Sequence, residues 1–394
     1  MDRNRVAVAV VLLVVGLTAA VLLQSPQVPS GPAAPDLSGQ AGHHDSSLRT
    51  HYEQLGPDHR VSIEGWYVHD PSRLVEGDGF LMTAVTGKHP TDGYACAMEL
   101  WYLPPDGSEL EPGQCLFTEY PQWVDEQVPG NGGTYWAPTL AGPQRIYYTV
   151  PDENFNAACL GMATATGSPP EMEWTDSGEP IYCNPGAQEA GQPVPLDPAF
   201  FQADDGAEFL VFGGGEIFAA ELDPETGRPL AADGGPRDET LHHLATRPAV
   251  DAPNNPDDLD WMEAPFLYSH GEYYHLFVNV GACCRGLDST YEIRVGRSRS
   301  PTGPFVDRDG VDMRDGGGTV FLDRTGEILG DSKYHGPGHA GIYETPAGEL
   351  YLSFHYYDAE NDGLPRMGVA EITFEDGWPT VIEPVDVEAL GETN

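Results

Sequence analysis

One plan recurs five times along this chain, and that repeat constrains the fold more tightly than composition does. The five segments are Asp70-Pro71-SRLVEGDGFLMTAV, Ala137-Pro138-TLAGPQRIYYTV, Asp197-Pro198-AFFQADDGAEFLVFGGG, Ala264-Pro265-FLYSHGEYYHLFVNV and His339-Ala340-GIYETPAGELYLSFHYY. In each, a small motif that usually ends in Pro starts a short apolar strand. A polar turn follows, then a second aromatic or aliphatic strand. The starts lie 67, 60, 67 and 75 residues apart, so each unit has room for a four-stranded antiparallel sheet plus loops. From residue 61 onward the chain reads as all-β, with Gly, Pro, Asp and Asn turns and no long stretch of 3.6-residue period. Five such sheets arranged radially predict a five-bladed β-propeller. A β-sandwich does not require so regular a period and ranks second.

The repeat carries a functional expectation. Equivalent positions in propeller blades lie around one axis, so residues distant in sequence converge at one mouth. The repeat starts hold Asp70, Asp197, Glu263 (beside Ala264) and His339. Like charges gathered around one cavity raise at least one pKa, leaving an acid and a base in the same site. Glycoside hydrolysis needs that pair. An Asp-Pro pair taken alone reads as a turn cap. Glu263 is harder to explain structurally, because Trp261, Met262 and Phe266 surround it in sequence and a carboxylate in such a setting is costly unless paired or functional.

Charge and cysteine content place the chain. Its 394 residues hold 62 Asp+Glu against 19 Lys+Arg, a formal net charge of -43. That excludes nucleic-acid binding as a main activity, because phosphates need Lys and Arg in quantity. Only Lys88 and Lys333 are lysines, and so acidic a composition reads as adaptation to high salt. At 40% hydrophobic residues the chain still has enough for a core. Residues 1–23 read as an export segment, Arg3 and Arg5 preceding an uncharged run from Val6 to Leu23 that fits either a cleaved signal peptide or a signal anchor. Either way the rest lies outside the cytoplasmic membrane, secreted or anchored on its outer face. Residues 24–60 read as a flexible linker rich in Pro, Ser, Gly and Ala, and residues 61–394 as the propeller domain. Short loops suggest disulfides Cys96–Cys115 and Cys159–Cys183, leaving Cys283 and Cys284 as either a vicinal pair or free buried thiols. No cysteine–histidine spacing suggests zinc.

The stretch Glu263-Ala-Pro-Phe-Leu-Tyr-Ser-His-Gly-Glu-Tyr-Tyr-His-Leu-Phe-Val, continuing through Ala282-Cys-Cys-Arg-Gly-Leu-Asp-Ser-Thr-Tyr291 to Phe305, resembles glycoside hydrolase family 43, and most of all its endo-α-1,5-L-arabinanases. Gly336-Pro-Gly-His339, His355-Tyr-Tyr-Asp358, His69-Asp70-Pro71 and Leu196-Asp197-Pro198 continue the likeness over about residues 61–390. The resemblance implies an inverting enzyme on a five-bladed propeller. It casts Asp70 as general base, Glu263 as general acid and Asp197 as the residue that orients Glu263 and holds its pKa up. His339 is implied at a central metal site, with one calcium ion and no organic cofactor, and Trp136 and His69 are substrate-binding candidates. Thr139 stands where the family usually has Asp. The implied partner is a plant-type polysaccharide or oligosaccharide. An exo-acting arabinofuranosidase or β-xylosidase, a non-catalytic carbohydrate-binding propeller and a surface propeller used for adhesion are the competing readings.

Overall fold

The computed structural model describes residues 68–88, 98–104, 111–117, 121–131, 134–152, 158–184, 193–230, 241–249, 259, 261–387 and 390. The expected export segment, the linker and Cys96 lie outside the described residues.

The chain forms five antiparallel blades, whose strand order follows the sequence except at the last strand of the second blade, which pairs two strands back. Blade I holds β1 (Val75–Gly77), β2 (Phe80–Lys88), β3 (Met98–Leu103) and β4 (Glu111–Cys115). Blade II holds β5 (Thr134–Leu140), β6 (Arg145–Pro151), β7 (Ala158–Ser168), β8 (Glu171–Asp176) and β9 (Tyr182–Asn184), preceded by the short helix α1 (Gln122–Gln127). The remaining three are uniform four-stranded sheets. Blade III runs from β10 (Ala199–Gln202) through β11 (Glu208–Phe212) and β12 (Glu216–Leu222) to β13 (Leu241–Thr246). Blade IV comprises β14 (Met262–His270), β15 (Tyr273–Val280), β16 (Glu292–Ser298) and β17 (Thr319–Leu322). Blade V comprises β18 (Tyr334–Glu344), β19 (Leu350–Asp358), β20 (Leu364–Glu375) and β21 (Trp378–Val385). The first strands touch one another in turn, β5 with β10, β10 with β14 and β14 with β18, so they line the hub.

Both faces of each blade are covered, which explains strands such as Glu208–Phe212 that are buried at every position. One apolar layer fills each junction. Leu100, Tyr102, Tyr135 and Tyr148 pack between blades I and II, and Tyr147, Leu160, Phe200 and Leu210 between II and III. Phe209, Val211, Leu276 and Val278 fill the next junction, then Phe277, Phe321, Leu352 and Phe354. Val68, Leu74, Leu81, Tyr343 and Tyr351 join blade V to blade I. Burying each such side chain contributes about 1.5–3 kcal/mol, spread evenly around the ring.

The repeat starts share a backbone conformation. Asp70, Ala137, Asp197, Ala264 and His339 have φ of 48°, 46°, 50°, 50° and 62°. That left-handed state costs a non-glycine residue about 1–2 kcal/mol. In blades II, IV and V strand register breaks there, between Trp136 and Thr139, Glu263 and Phe266, and Gly338 and Gly341. In these three blades the repeat start is thus a bulge that turns one residue inward at the hub, and Asp70 and Asp197 take the same backbone conformation just ahead of their first strands.

A ring of side-chain acceptors holds these repeat starts. The Ala137 amide donates to Thr86 Oγ1 (2.9 Å), Asp197 to Thr149 Oγ1 (3.0 Å), and His339 to Asn279 Oδ1 (2.8 Å). The Asp70 amide donates to His355 Nδ1 (3.3 Å), closing blade V on blade I, as does the Val68 amide bonded to the Pro365 carbonyl (3.1 Å). Thr86, Thr149, Asn279 and His355 occupy one repeat position, each opposite the residue preceding its own blade's repeat start. In blade III that position is Gly213, at φ 148°, where a Cβ would lie 2.0 Å from the Glu216 carbonyl oxygen. No side chain fits there, and the Ala264 amide is taken instead by Asp197 Oδ2 (3.0 Å).

Candidate active site

The repeat starts bring Asp70, Asp197, Glu263 and His339 to one mouth. Glu263 sits one residue earlier in its repeat than the two aspartates, in the place held by His69, Trp136, Leu196 and Gly338 elsewhere. Asp197, Glu263 and His339 are buried, at 7%, 7% and 9% exposure, and the carboxylates of Asp70, Asp197 and Glu263 act electrostatically on one another.

Asp70 is surrounded by imidazoles. His69 Nδ1 lies 2.7 Å from Oδ1, with His339 Nδ1 at 3.5 Å and His355 Nδ1 at 3.6 Å from the same oxygen. Thr86 Oγ1 donates to Oδ2 at 2.7 Å. Burial pushes the Asp70 carboxyl up, but His69, His339 and His355 together outweigh it and hold the group well below the usual carboxylate range. The His69 ring stacks on His355, centroids 4.0 Å apart, and its Nε2 lies 3.0 Å from the Tyr357 hydroxyl.

Glu263 meets the opposite environment. Burial drives its pKa up, and nearby Asp70 adds to this. Trp261 Nε1 donates to Oε2 at 2.6 Å and the Tyr291 hydroxyl to Oε1 at 2.8 Å, pulling it partly back. Burial and Glu263 push Asp197 well above the carboxylate range, opposed only by the Ala264 amide. One carboxyl is therefore held ionised and two are biased toward the protonated form. Replacing Tyr291 by Phe removes a donor that favours ionised Glu263. The alkaline limb of kcat/KM should then move upward by about one pH unit, and a limb that stays put or moves down contradicts this.

His339 bears on a metal. Its Nδ1 and His355 Nε2 are buried without hydrogen-bond partners, and burial lowers the pKa of both rings. His339, with its Nδ1 outside any hydrogen bond and facing the Asp70 carboxylate, fits one edge of a cation site. Calcium takes six to eight oxygens, so such an ion draws most of its shell from water.

Trp136 is half-buried and packs, as Trp261 does, on the patch formed by Ala158, Val194 and Leu196. His69 is buried against Asp70 and Tyr357, which makes it a positioning group for Asp70. Thr139 is buried in β5 opposite Tyr147. The vicinal alternative holds for Cys283 and Cys284, which are disulfide-bonded, as are Cys159 and Cys183. Cys115 is also in a disulfide. Arg285 is exposed on the adjoining loop. Sequence reading assigned no role to Thr86, His355, Tyr291 or Tyr357. Thr86, Thr149, Asn279 and His355 lie 12 to 16 residues after their repeat starts, a spacing that would have exposed the acceptor ring.

The family model for glycosyl hydrolases family 43 matches residues 109–379. The chain belongs to that family. It is a glycoside hydrolase, and the five-bladed propeller is the scaffold of its solved relatives. It is 30% identical over 318 residues to an extracellular endo-α-(1→5)-L-arabinanase of Bacillus subtilis, covering 79% of this chain and 87% of the relative. It is equally 30% identical over 326 residues to an extracellular exo-α-(1→5)-L-arabinofuranosidase of Cellvibrio japonicus, covering 80% and 86%. The solved Cellvibrio cellulosa α-L-arabinanase in complex with arabinohexaose superposes with a TM-score of 0.65 at 25% identity, over 83% of this chain and 98% of that one.

Proposed function

We propose that this family 43 hydrolase is exported and cleaves internal α-1,5 bonds of L-arabinan with inversion. The observation that carries the chemistry is the opposite treatment of two carboxyls at one hub, Asp70 held anionic by histidines and Glu263 driven toward its protonated form by burial. Asp70 takes a proton from a water molecule as its oxygen attacks the anomeric carbon. Glu263 gives a proton to the departing glycosidic oxygen. Asp70 ends protonated and Glu263 ionised, and exchange with solvent resets both. Inversion requires the two carboxyls about 6.5–9.5 Å apart, with room for that water. Asp197, gripping the Ala264 amide, fixes the backbone on which Glu263 stands. When bound through His339, a calcium ion supplies fixed positive charge beside Asp70. Trp136 offers an aromatic face to a sugar ring.

Arabinan is favoured because both the Bacillus and the Cellvibrio relatives carry names for α-1,5-L-arabinan chemistry, and their extracellular location agrees with an export segment here. The exo reading rests on the Cellvibrio relative, which is as similar as the endo one. Product sizing on linear arabinan separates the two. Early release of a ladder of arabino-oligosaccharides is expected. Arabinose, or one fixed product length, from the first minutes establishes exo action, and no release from arabinan defeats the substrate assignment.

A further inference from the structure

The loop after β15 places Cys283 and Cys284 against the base side of the mouth. Cys284, at φ 69°, donates its amide to the Tyr357 hydroxyl at 2.5 Å, and that hydroxyl faces His69 Nε2 at 3.0 Å. Cys284 Sγ is 3.6 Å from the same nitrogen. One ligand atom from each of His69, Cys283 and Cys284 lies within 4.8 Å of the others.

We propose that Cys283 and Cys284, once reduced, form with His69 a three-ligand site for a thiophilic divalent cation such as Zn2+, which the closed disulfide masks. The proposal goes beyond the hydrolytic reading and does not depend on it. Two distances carry it. Tetrahedral zinc, with Zn–S of about 2.3 Å and Zn–N of about 2.05 Å, sets a sulfur and a nitrogen ligand about 3.6 Å apart. Cys284 Sγ and His69 Nε2 already stand at that separation. On the far side of the ring, His69 Nδ1 is 2.7 Å from Asp70 Oδ1. A carboxylate accepting the second ring N–H is the usual outer support of a zinc-bound imidazole. The two sulfurs need to move from bonded contact to about 3.8 Å, the edge set by two Zn–S bonds, and the Tyr357 hydroxyl has to give up its place at His69 Nε2.

The chemistry balances with an external dithiol as reductant. Two electrons and two protons pass from the dithiol, which closes to its own cyclic disulfide, and Cys283 and Cys284 become thiols. Zn2+ then displaces both thiol protons and takes the Nε2 lone pair, while the Tyr357 hydroxyl turns away. A fourth position stays open to water. The cation occupies the mouth beside Asp70, so hydrolysis stops as the site fills.

The test uses the full chain, reduced with dithiothreitol and desalted without oxygen, then titrated with Co2+ as a spectroscopic probe and with Zn2+ as competitor. One Co2+ per reduced chain is expected, with thiolate-to-cobalt charge-transfer absorption, displaced by Zn2+ and absent from the oxidised chain. Cys284→Ser and His69→Gln should each weaken uptake at least tenfold. Reduction also opens Cys159–Cys183 and the disulfide of Cys115, so the titration is repeated on a chain with Cys96, Cys115, Cys159 and Cys183 all replaced by Ala, where uptake should persist. No uptake after reduction, equal uptake when oxidised, full uptake by Cys284→Ser, or loss in that four-alanine chain overturns the proposal.

Discussion

Glu263→Gln is expected to lower kcat on arabinan by about 10²- to 10⁴-fold, the usual contribution of a positioned proton donor, while leaving the melting temperature nearly unchanged. The amide keeps the local bonding intact. Its oxygen accepts from Trp261 Nε1, and the Tyr291 hydroxyl rotates to accept from its NH2 group. An alanine there leaves two buried donors unmatched, at about 1–3 kcal/mol each, and confounds stability with chemistry. The glutamine variant should also lose the alkaline limb of its pH profile, because the group whose pKa burial raises is gone. Steady-state kinetics and calorimetry on the same preparation check both parts. Turnover within tenfold of the parent removes Glu263 from the chemistry.

Asp70→Asn is expected to cost a comparable factor in kcat, with a different thermodynamic signature. Three histidines and Thr86 favour the ionised carboxylate, so the folded pKa lies below the unfolded value of about 3.9. The sign follows from linkage. Ionised Asp70 stabilises the fold above the unfolded pKa, and this contribution is lost as pH falls through the folded pKa. The gap in melting temperature between parent and Asn variant should therefore be widest above about pH 4 and close below it. A gap that widens in acid means that Asp70 is not held ionised by its neighbours.

The repeat made the propeller legible because each unit spells a buried strand pair behind one start motif. Asp-Pro, Ala-Pro and His-Ala are those motifs, and their spacing sets the blade count. What sequence did not disclose is the acceptor ring. Its members are Thr86, Thr149, Asn279 and His355, with Gly213 as the gap, and they share a position and a task but no single residue type. Asp197 is the telling residue. An Asp-Pro turn cap and a partner for the acid were competing readings of it. In the fold its carboxylate replaces the side chain that Gly213 lacks and accepts from the amide beside Glu263. His69 was read as a hydrogen-bonding neighbour of the bound sugar; in the fold its two ring nitrogens lie beside Asp70 and Tyr357. Side-chain direction at a bulge does not follow strand alternation, so sequence position alone does not show these two contacts.

In the proposed mechanism the two carboxyls divide the labour, Glu263 giving a proton and Asp70 taking one. Leaving-group dependence tests it most directly, because a good leaving group needs no protonation but still needs an activated water. Rates of Glu263→Gln and Asp70→Asn are compared on arabinan and on an arabino-oligosaccharide with an acidic aryl leaving group. The account predicts that Glu263→Gln recovers most of its lost rate on the aryl substrate while Asp70→Asn stays slow on both. Equal recovery by the two variants, or recovery by Asp70→Asn alone, contradicts it.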